Sequence, residues 1–168
     1  KTIIGKQLFL DFYIKEFNYN DKAIIDNFPE NIEIKQLSQI FNSVGFSSIP
    51  SWLKPYNVLS TGEQMRVNLA RAIMEKKEMI VFDEFTSTIN REVAKIGSYT
   101  IQKTIRKLNK KFIAISCHYD IIEWLEPDWI FNTNNMIFEK KNSKDQKLNL
   151  KYMNVQENFG NILGNIII

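Results

Sequence analysis

The sequence has little of what marks secreted or membrane-spanning proteins. Its 168 residues include one cysteine, Cys117, so an internal disulfide is excluded and a reducing compartment is indicated. No apolar run approaches the roughly 18 residues of a membrane helix, and the stretch 162–168 is too short. The opening residues lack the apolar core and cleavage site of a signal peptide. These absences predict a cytoplasmic protein without a membrane segment.

A large excess of charge of one sign is also missing. The formal net charge is +3, which is small for this length and does not indicate a nucleic-acid-binding surface. Hydrophobic residues make up 44% and charged residues 24% of the chain, as in an ordinary globular protein. The length is sufficient for one domain with a substantial core.

The stretch from Val58 to Arg71 carries the strongest local signal. Ser60 and Glu63 form a Ser-x-x-Glu capping box, which predicts a helix beginning at about Thr61. An apolar stripe follows at helical spacing, comprising Met65, Leu69 and Ile73.

Gly62 stands in the first turn of that helix, and glycine costs about 1 kcal/mol relative to alanine in a helix interior. One interpretation is a bare backbone that lets a phosphate approach the positive end of a helix. The alternative is an ordinary capped helix with a loose first turn.

Two apolar runs end in polar residues that can carry chemistry. Met79–Phe82 precedes Asp83 and Glu84, and Phe112–Ser116 precedes the only histidine, His118. A strand, helix and strand of this kind predict a parallel right-handed crossover. The acids and the histidine would then lie at the carboxyl ends of parallel strands, where open α/β sheets bind ligands.

Further elements follow from periodicity and turn residues. We expect a short strand at Ala23–Ile25, a helix from Asn31 to Val44, and a loop and helix across Thr86–Leu108. Two apolar triplets around Asn132–Asn135 predict a closing hairpin. Trp52 is expected to pack against Phe46, with stacking on adenine as the alternative.

These residues, in this order and spacing, resemble the ATP-binding-cassette (ABC) ATPases over about Ile24 to Asn132. Four segments carry the resemblance: Leu59-Ser60-Thr61-Gly62-Glu63 is similar to the signature motif, Met79 to Glu84 to the Walker B strand, Phe85 to Asn90 to the D-loop, and His118 to the switch histidine. The resemblance implies an α/β, parallel-sheet P-loop NTPase core with a reduced helical subdomain and a C-terminal hairpin.

The resemblance also implies roles for individual residues. Asp83 would hold Mg²⁺, Glu84 would be the general base, and His118 would contact the γ-phosphate and the attacking water. ATP held by a second copy would be contacted by the signature residues Ser60, Thr61, Gly62 and Glu63, with Asn90 at the D-loop position. A homodimer closed through the signature motif is therefore expected, with ATP and Mg²⁺ as cofactors.

The first residues are similar to the end of a P-loop. In Gly-x-x-x-x-Gly-Lys-Ser/Thr the lysine and the hydroxyl residue open a helix, and Lys1 and Thr2 match those two positions. The resemblance implies Lys1 on the β- and γ-phosphates and Thr2 on Mg²⁺, in a chain that lacks most of the P-loop. The alternative is an unrelated amphipathic helix.

Three departures from the family pattern stand out. Glu63 replaces glutamine, as in some ABC proteins that are not transporters, and Asn90 replaces the D-loop aspartate. No glutamine follows the expected strand at Ala23–Ile25, where Asn27 is a weak substitute and Gln36 falls on the next helix.

Cys117 beside His118 could suggest a metal site or a thiol nucleophile, but no second cysteine or histidine accompanies them.

The expected organisation is a partial ABC ATPase domain over 1–139, a linker over 140–147, and a tail or the start of a further domain over 148–168. Segments around Phe41–Phe46, Ser116–Asp120 and Glu126–Trp129 are similar to ABC ATPases fused to a GNAT-type acetyltransferase. The expected function is ATP hydrolysis by a soluble ABC-type dimer. The alternatives are a transporter subunit and a non-hydrolysing, nucleotide-gated clamp on DNA or protein.

Overall fold

The computed structural model describes residues 1–14, 17–75, 77–140 and the backbone of 166–167. Six α-helices and five strands are described: α1 Thr2–Phe9, α2 Ile34–Ser43, α3 Ile49–Trp52, α4 Thr61–Met74, β1 Met79–Phe82, α5 Arg91–Lys107, β2 Lys111–Ala114, α6 Ile121–Leu125, β3 Trp129–Asn132, β4 Ile137–Lys140 and β5 Ile166–Ile167. Single 3₁₀ turns occupy Leu10–Phe12, Ile24–Asn27 and Tyr56–Val58.

The strands form one mixed sheet in the order β1-β2-β5-β3-β4. β1 and β2 are parallel, with Met79 opposite Lys111 and Phe82 opposite Ala114. β5 pairs in parallel with both β2 and β3, and β3 and β4 form the antiparallel hairpin. The predicted parallel crossover and the predicted hairpin are therefore confirmed.

The sheet is covered on both faces, which explains why β1 is apolar at every position. On one face Phe9 of α1 packs on Met79 and Val81 in the smaller hydrophobic cluster. On the other face Ile80 belongs to the larger cluster, which includes residues of α2, α4 and α5. Alternate residues of one strand thus serve two layers of helices.

Helix α4 begins at the residue that the capping box predicts. The Ser60 hydroxyl accepts the Glu63 backbone N–H, and the Glu63 carboxylate accepts the Ser60 backbone N–H. All three residues of the predicted stripe, Met65, Leu69 and Ile73, are buried. The sequence-local signal and the tertiary packing agree here.

The prediction of a strand at Ala23–Ile25 is wrong, because Ile24–Asn27 forms a 3₁₀ turn. The Ile24 N–H donates to the carbonyl of Lys54 over 3.0 Å, so it does not join the sheet. The backbone that lies beside β1 comes earlier in the chain: Tyr13 forms a parallel bridge with Val81, and the Ile14 N–H donates to the Val81 carbonyl over 2.9 Å.

Other predictions shift at their boundaries. The helix expected over Asn31–Val44 is α2, and the one within Thr86–Leu108 is α5, which starts after the N-cap Asn90. The expected linker at 140–147 and the expected further domain at 148–168 lie outside the described residues, apart from Lys140 in β4 and the backbone of 166–167.

Candidate functional site

The carboxyl ends of β1 and β2 bring the predicted acids and the predicted histidine to one edge of the sheet. Pairing continues past the strands, since the Ile115 N–H donates to Phe82 over 2.9 Å and the Phe85 N–H donates to Ile115 over 2.8 Å. Asp83 and Glu84 therefore leave β1 beside the loop that leads from β2 to His118.

Lys1 and Thr2, at the start of α1, reach this same edge. The Lys1 ammonium donates to the carbonyl oxygen of Ser116 over 2.7 Å. The Thr2 hydroxyl donates to the Asp83 carboxylate over 3.2 Å. Residues from three distant parts of the chain thus form an edge cluster, defined here as Lys1, Thr2, Asp83, Glu84 and His118.

The backbone around Glu84 adopts an uncommon conformation. Glu84 and Thr86 have φ angles of 51° and 67°, in the left-handed region that residues other than glycine rarely adopt. Asp83 accepts the Glu84 N–H over 2.9 Å, which supports the first of these turns. Such strain persists only where surrounding contacts impose it, and it is frequent at functional sites.

The loop that follows β2, residues 115–120, carries the predicted switch histidine, and this segment is called the switch loop. It is also fixed by a local hydrogen bond. The backbone N–H of His118 donates to the Ser116 hydroxyl over 3.1 Å, and the His118 side chain is half-buried. Neighbouring Cys117 is exposed. Within the described part of the chain no group of three or more histidine, cysteine, aspartate or glutamate side chains is placed to hold a metal ion.

Tyr13 contacts the edge cluster through Thr2, and the sequence alone did not predict this contact. Its hydroxyl donates to the carbonyl of Thr2 over 3.2 Å. Burial and, secondarily, the Asp83 carboxylate raise the pKa of Tyr13 to about 12, so the phenol stays protonated and remains a donor.

The residues predicted to form the signature motif are a second group, next to the predicted D-loop of the same chain. The Thr61 hydroxyl donates to the Thr88 carbonyl over 3.3 Å. Gly62 is buried, and a Cβ at this position would lie 3.1 Å from Cγ1 of Val93 on α5. Close packing of α4 on α5 is therefore one physical reason for glycine here, besides the phosphate contact expected from the sequence.

Glu63 connects the signature turn to helix α3. One carboxylate oxygen accepts the hydroxyl of buried Ser51 over 2.6 Å, and the other accepts the N–H and hydroxyl of Ser60 over 2.9 and 2.7 Å. These donors, led by Ser51, hold the pKa of Glu63 below its ordinary value of 4.5. Glu63 is therefore ionised at neutral pH.

Two weaker candidates have side chains engaged elsewhere. Asn90 caps α5 by accepting the Glu92 N–H over 2.8 Å. Asn27 accepts the Asn20 N–H over 2.8 Å and donates to the Ala23 carbonyl over 3.0 Å within its own loop.

Trp52 donates to the Phe46 carbonyl over 2.8 Å, which confirms that it packs against this segment.

These elements define a class of fold: an α/β fold with a largely parallel sheet whose carboxyl edge carries a lysine, a hydroxyl and two acids. Residues 8–87 match the family model described as ABC transporter. Two dimeric structures of MJ0796, a bacterial ABC transporter cassette, match with TM-scores of 0.52 and 0.55, the second in a post-hydrolysis state bound to ADP and phosphate. Both are 15% identical and align over 69% of this chain and 56% of theirs.

Two curated relatives are each 27% identical to the chain. The "Probable ABC transporter ATP-binding protein p29" of Mesomycoplasma hyorhinis aligns over 66% of this chain and 49% of its own length. The "Macrolide export ATP-binding/permease protein MacB" of Aggregatibacter actinomycetemcomitans aligns over 53% of this chain and 13% of its own. The chain thus spans about half of the first relative and a smaller part of the second. The chain is thus similar in sequence to ABC transporter ATP-binding proteins, and its fold matches that of the ABC cassettes.

The comparisons adjust the extent of the resemblance. The family match begins at residue 8, earlier than the expected start near Ile24, and it includes the Tyr13–Ile14 segment beside β1. Among the described helices, none combines the length and apolarity that a bilayer-spanning helix requires.

Proposed function

We propose that the protein containing this chain binds and hydrolyses ATP, in the cytoplasm, as a homodimer closed by nucleotide. The observation that carries the proposal is the contact of Thr2 with Asp83 beside Lys1, at the edge where the strand ends also present Glu84 and His118. Phosphoryl transfer needs charge neutralisation, a positioned water and contacts that respond to the γ-phosphate, and these residue types supply all three.

The residues present fit a Mg²⁺–ATP complex. A hydroxyl and a carboxylate in contact are hard oxygen ligands of the kind that Mg²⁺ uses together with phosphate oxygens. Thr2 and Asp83 would hold the ion, whose chemistry is to neutralise charge on the phosphates. Lys1 would bind the β- and γ-phosphate oxygens, to which its ammonium can donate in place of the Ser116 carbonyl.

Glu84 and His118 would act on the attacking water. Glu84 is exposed at the strand end and would accept a proton from that water. His118 would orient the water and donate to the γ-phosphate. Ser60, Thr61, Gly62 and Glu63 would close over the same phosphate from the second copy, with Asn90 at the D-loop nearby.

The test is phosphate release by the intact protein carrying Glu84→Gln. Loss of the base should lower kcat by about 10²- to 10³-fold while ATP binding is kept. The ATP-bound dimer should then accumulate and be visible by light scattering, whereas ADP should leave monomers.

Glu78→Gln is the matched control, because Glu78 is exposed at the opposite end of β1. Its turnover should equal that of the unmodified protein. If Glu84→Gln hydrolyses ATP as fast as the unmodified protein, Glu84 is not the general base. If ADP produces as much dimer as ATP, the dimer is not closed by ATP.

A transporter subunit is the second candidate, because the family description and the name of the Mesomycoplasma relative both refer to ABC transporters. This function needs a membrane partner. Co-purification of the intact protein with a membrane protein from detergent extracts would favour it over a stand-alone ATPase.

The domain organisation is proposed as an ATPase domain over 1–139, a linker over 140–147 and a tail or further domain over 148–168. The motif resemblance around Ser116–Asp120 supports an acetyltransferase-type partner domain. Binding of acetyl-coenzyme A by the intact protein, measured by calorimetry, would test this.

A further inference from the structure

Arg91, the first residue of α5, contacts both of the loops that carry Glu84 and His118. Its Nε donates to Oδ2 of Asp120 over 2.8 Å, and its Nη2 contacts the other oxygen of the same carboxylate. Its third nitrogen, Nη1, lies 3.4 Å from the carbonyl oxygen of Thr86. Asp120 follows His118 by two residues and Thr86 follows Glu84 by two.

The position of Arg91 is not explained by its own helix. A cation in the first turn is unfavourable, because the N-terminal end of a helix carries partial positive charge. Here the Asp120 carboxylate and the face of Trp124, whose ring centroid is 5.1 Å from the guanidinium carbon, compensate that charge. The side chain is thus held by α6 and the switch loop.

The carbonyl that Arg91 contacts belongs to a strained residue. Thr86 is buried and has a φ of 67°, and the same turn contains Glu84 with a φ of 51°. A fork of three donors that reaches both this turn and Asp120 limits how the two loops can move relative to each other. Lysine could not reproduce that geometry.

Stability alone does not account for the pair. The side chains of Arg91 and Asp120 remain 38% and 42% exposed, and ion pairs at such exposure contribute little to folding. A bidentate pair is nevertheless specific in geometry, even where its net energy is small.

We propose that Arg91 and Asp120 are positioning residues that set Glu84 and His118 relative to each other for attack on the γ-phosphate. The proposal rests on the ATPase function proposed above. It assigns to Arg91 the link between D-loop and switch loop.

The test is steady-state ATP hydrolysis by the intact protein with Arg91→Ala, Asp120→Ala and the exchanged pair Arg91→Asp with Asp120→Arg. Each single variant should lower kcat about tenfold with KM for ATP changed less than about twofold, because small misplacement of reacting groups slows the chemical step. The exchanged pair should recover kcat to within about threefold, and Arg91→Lys should fall between.

Arg106→Ala is the matched control, since Arg106 pairs with Asp128 at 36% and 44% exposure away from the edge cluster. Its kcat and melting temperature should match those of the unmodified protein. Normal kcat in Arg91→Ala, or no recovery in the exchanged pair, overturns the positioning role while the ATPase function stands. Absence of turnover in the unmodified protein would overturn both.

Discussion

The hydroxyl of Thr2 donates to the carboxylate of Asp83 across 3.2 Å, joining two residues that lie 81 positions apart in the chain. This contact brings the first helix onto the edge of the sheet where β1 ends. It also places side by side two oxygen groups of the type that Mg²⁺ prefers.

Thr2→Val should therefore raise the Mg²⁺ concentration needed for half-maximal ATP hydrolysis by about tenfold or more, because an isosteric methyl replaces an oxygen ligand. Thr2→Ser keeps the hydroxyl and should stay within about threefold of the unmodified protein. The measurement is ATPase activity across a Mg²⁺ titration. Identical Mg²⁺ dependence of the valine and serine variants would show that Thr2 is not a ligand.

Gly62→Ala should have opposite effects on stability in two backgrounds. Alanine favours the helix by about 1 kcal/mol, but its Cβ would crowd Val93 at 3.1 Å, and overpacking costs about 1–3 kcal/mol. In the unmodified protein we expect Gly62→Ala to lower the free energy of unfolding by about 1 kcal/mol. In the Val93→Ala background, where the smaller side chain leaves space, it should raise that free energy by a similar amount. Urea unfolding of the four proteins gives the coupling energy, and additive effects would contradict the steric explanation.

Ser51→Ala should lower the free energy of unfolding by an amount that depends on pH in a defined direction. Because hydrogen bonds lower the pKa of Glu63, their stabilisation is fully present above its ordinary value of 4.5 and is lost as pH falls through the lower folded value. The variant should lose about 1 kcal/mol near pH 7, and the loss should shrink towards pH 3.

The control for this experiment is Ser38→Ala, which removes a hydroxyl whose solvent-exposed hydrogen bond goes to the Lys35 carbonyl within α2. Its effect on the free energy of unfolding should be small and should not vary with pH. A loss in Ser51→Ala that stays constant from pH 7 to pH 3 would show that the carboxylate of Glu63 is not what Ser51 stabilises.

Asn68→Ala should destabilise the contact between α4 and the segment before α2. Asn68 accepts from the Tyr19 hydroxyl and donates to the Tyr56 hydroxyl, each over 2.9 Å, and the two rings stack with centroids 4.1 Å apart. Burial raises the pKa of Tyr19, so it remains a protonated donor. Losing both partners should cost about 1–3 kcal/mol.

Asn134→Ala removes a comparable asparagine–tyrosine contact at an exposed turn and serves as the reference. It should change the free energy of unfolding by less than about 0.5 kcal/mol. Urea midpoints at constant slope measure both variants. Equal small effects would mean that the Tyr19–Tyr56 stack does not depend on Asn68.

The parts of the fold that local chemistry specifies could be predicted. The capping box determines where α4 begins, and unbroken apolar runs identify β1 and β2 because both faces of the sheet are covered. The common edge of Asp83 and His118 followed from the parallel direction of β1 and β2, whose carboxyl ends meet at one edge of the sheet. These inferences need only neighbours in sequence or one general rule of topology.

Contacts between distant residues could not be predicted in this way. Tyr13 joins β1 through one isolated bridge, which leaves no alternating pattern in the sequence. Ile24 resembles a strand residue because it is buried, yet its N–H bonds to Lys54. Arg91 and Asp120 are 29 positions apart, and no periodicity relates them.

Gly5 lies four residues after Lys1, where α1 packs against Tyr13 and Ile115. A methyl group at this position would come within 2.3 Å of the Tyr13 hydroxyl and 2.4 Å of Ile115, at the outer ends of both side chains. A larger residue would therefore displace the Tyr13 hydroxyl, which donates to the Thr2 carbonyl next to Lys1. Substitution of Gly5 should thus loosen the start of α1 while Lys1 itself stays intact.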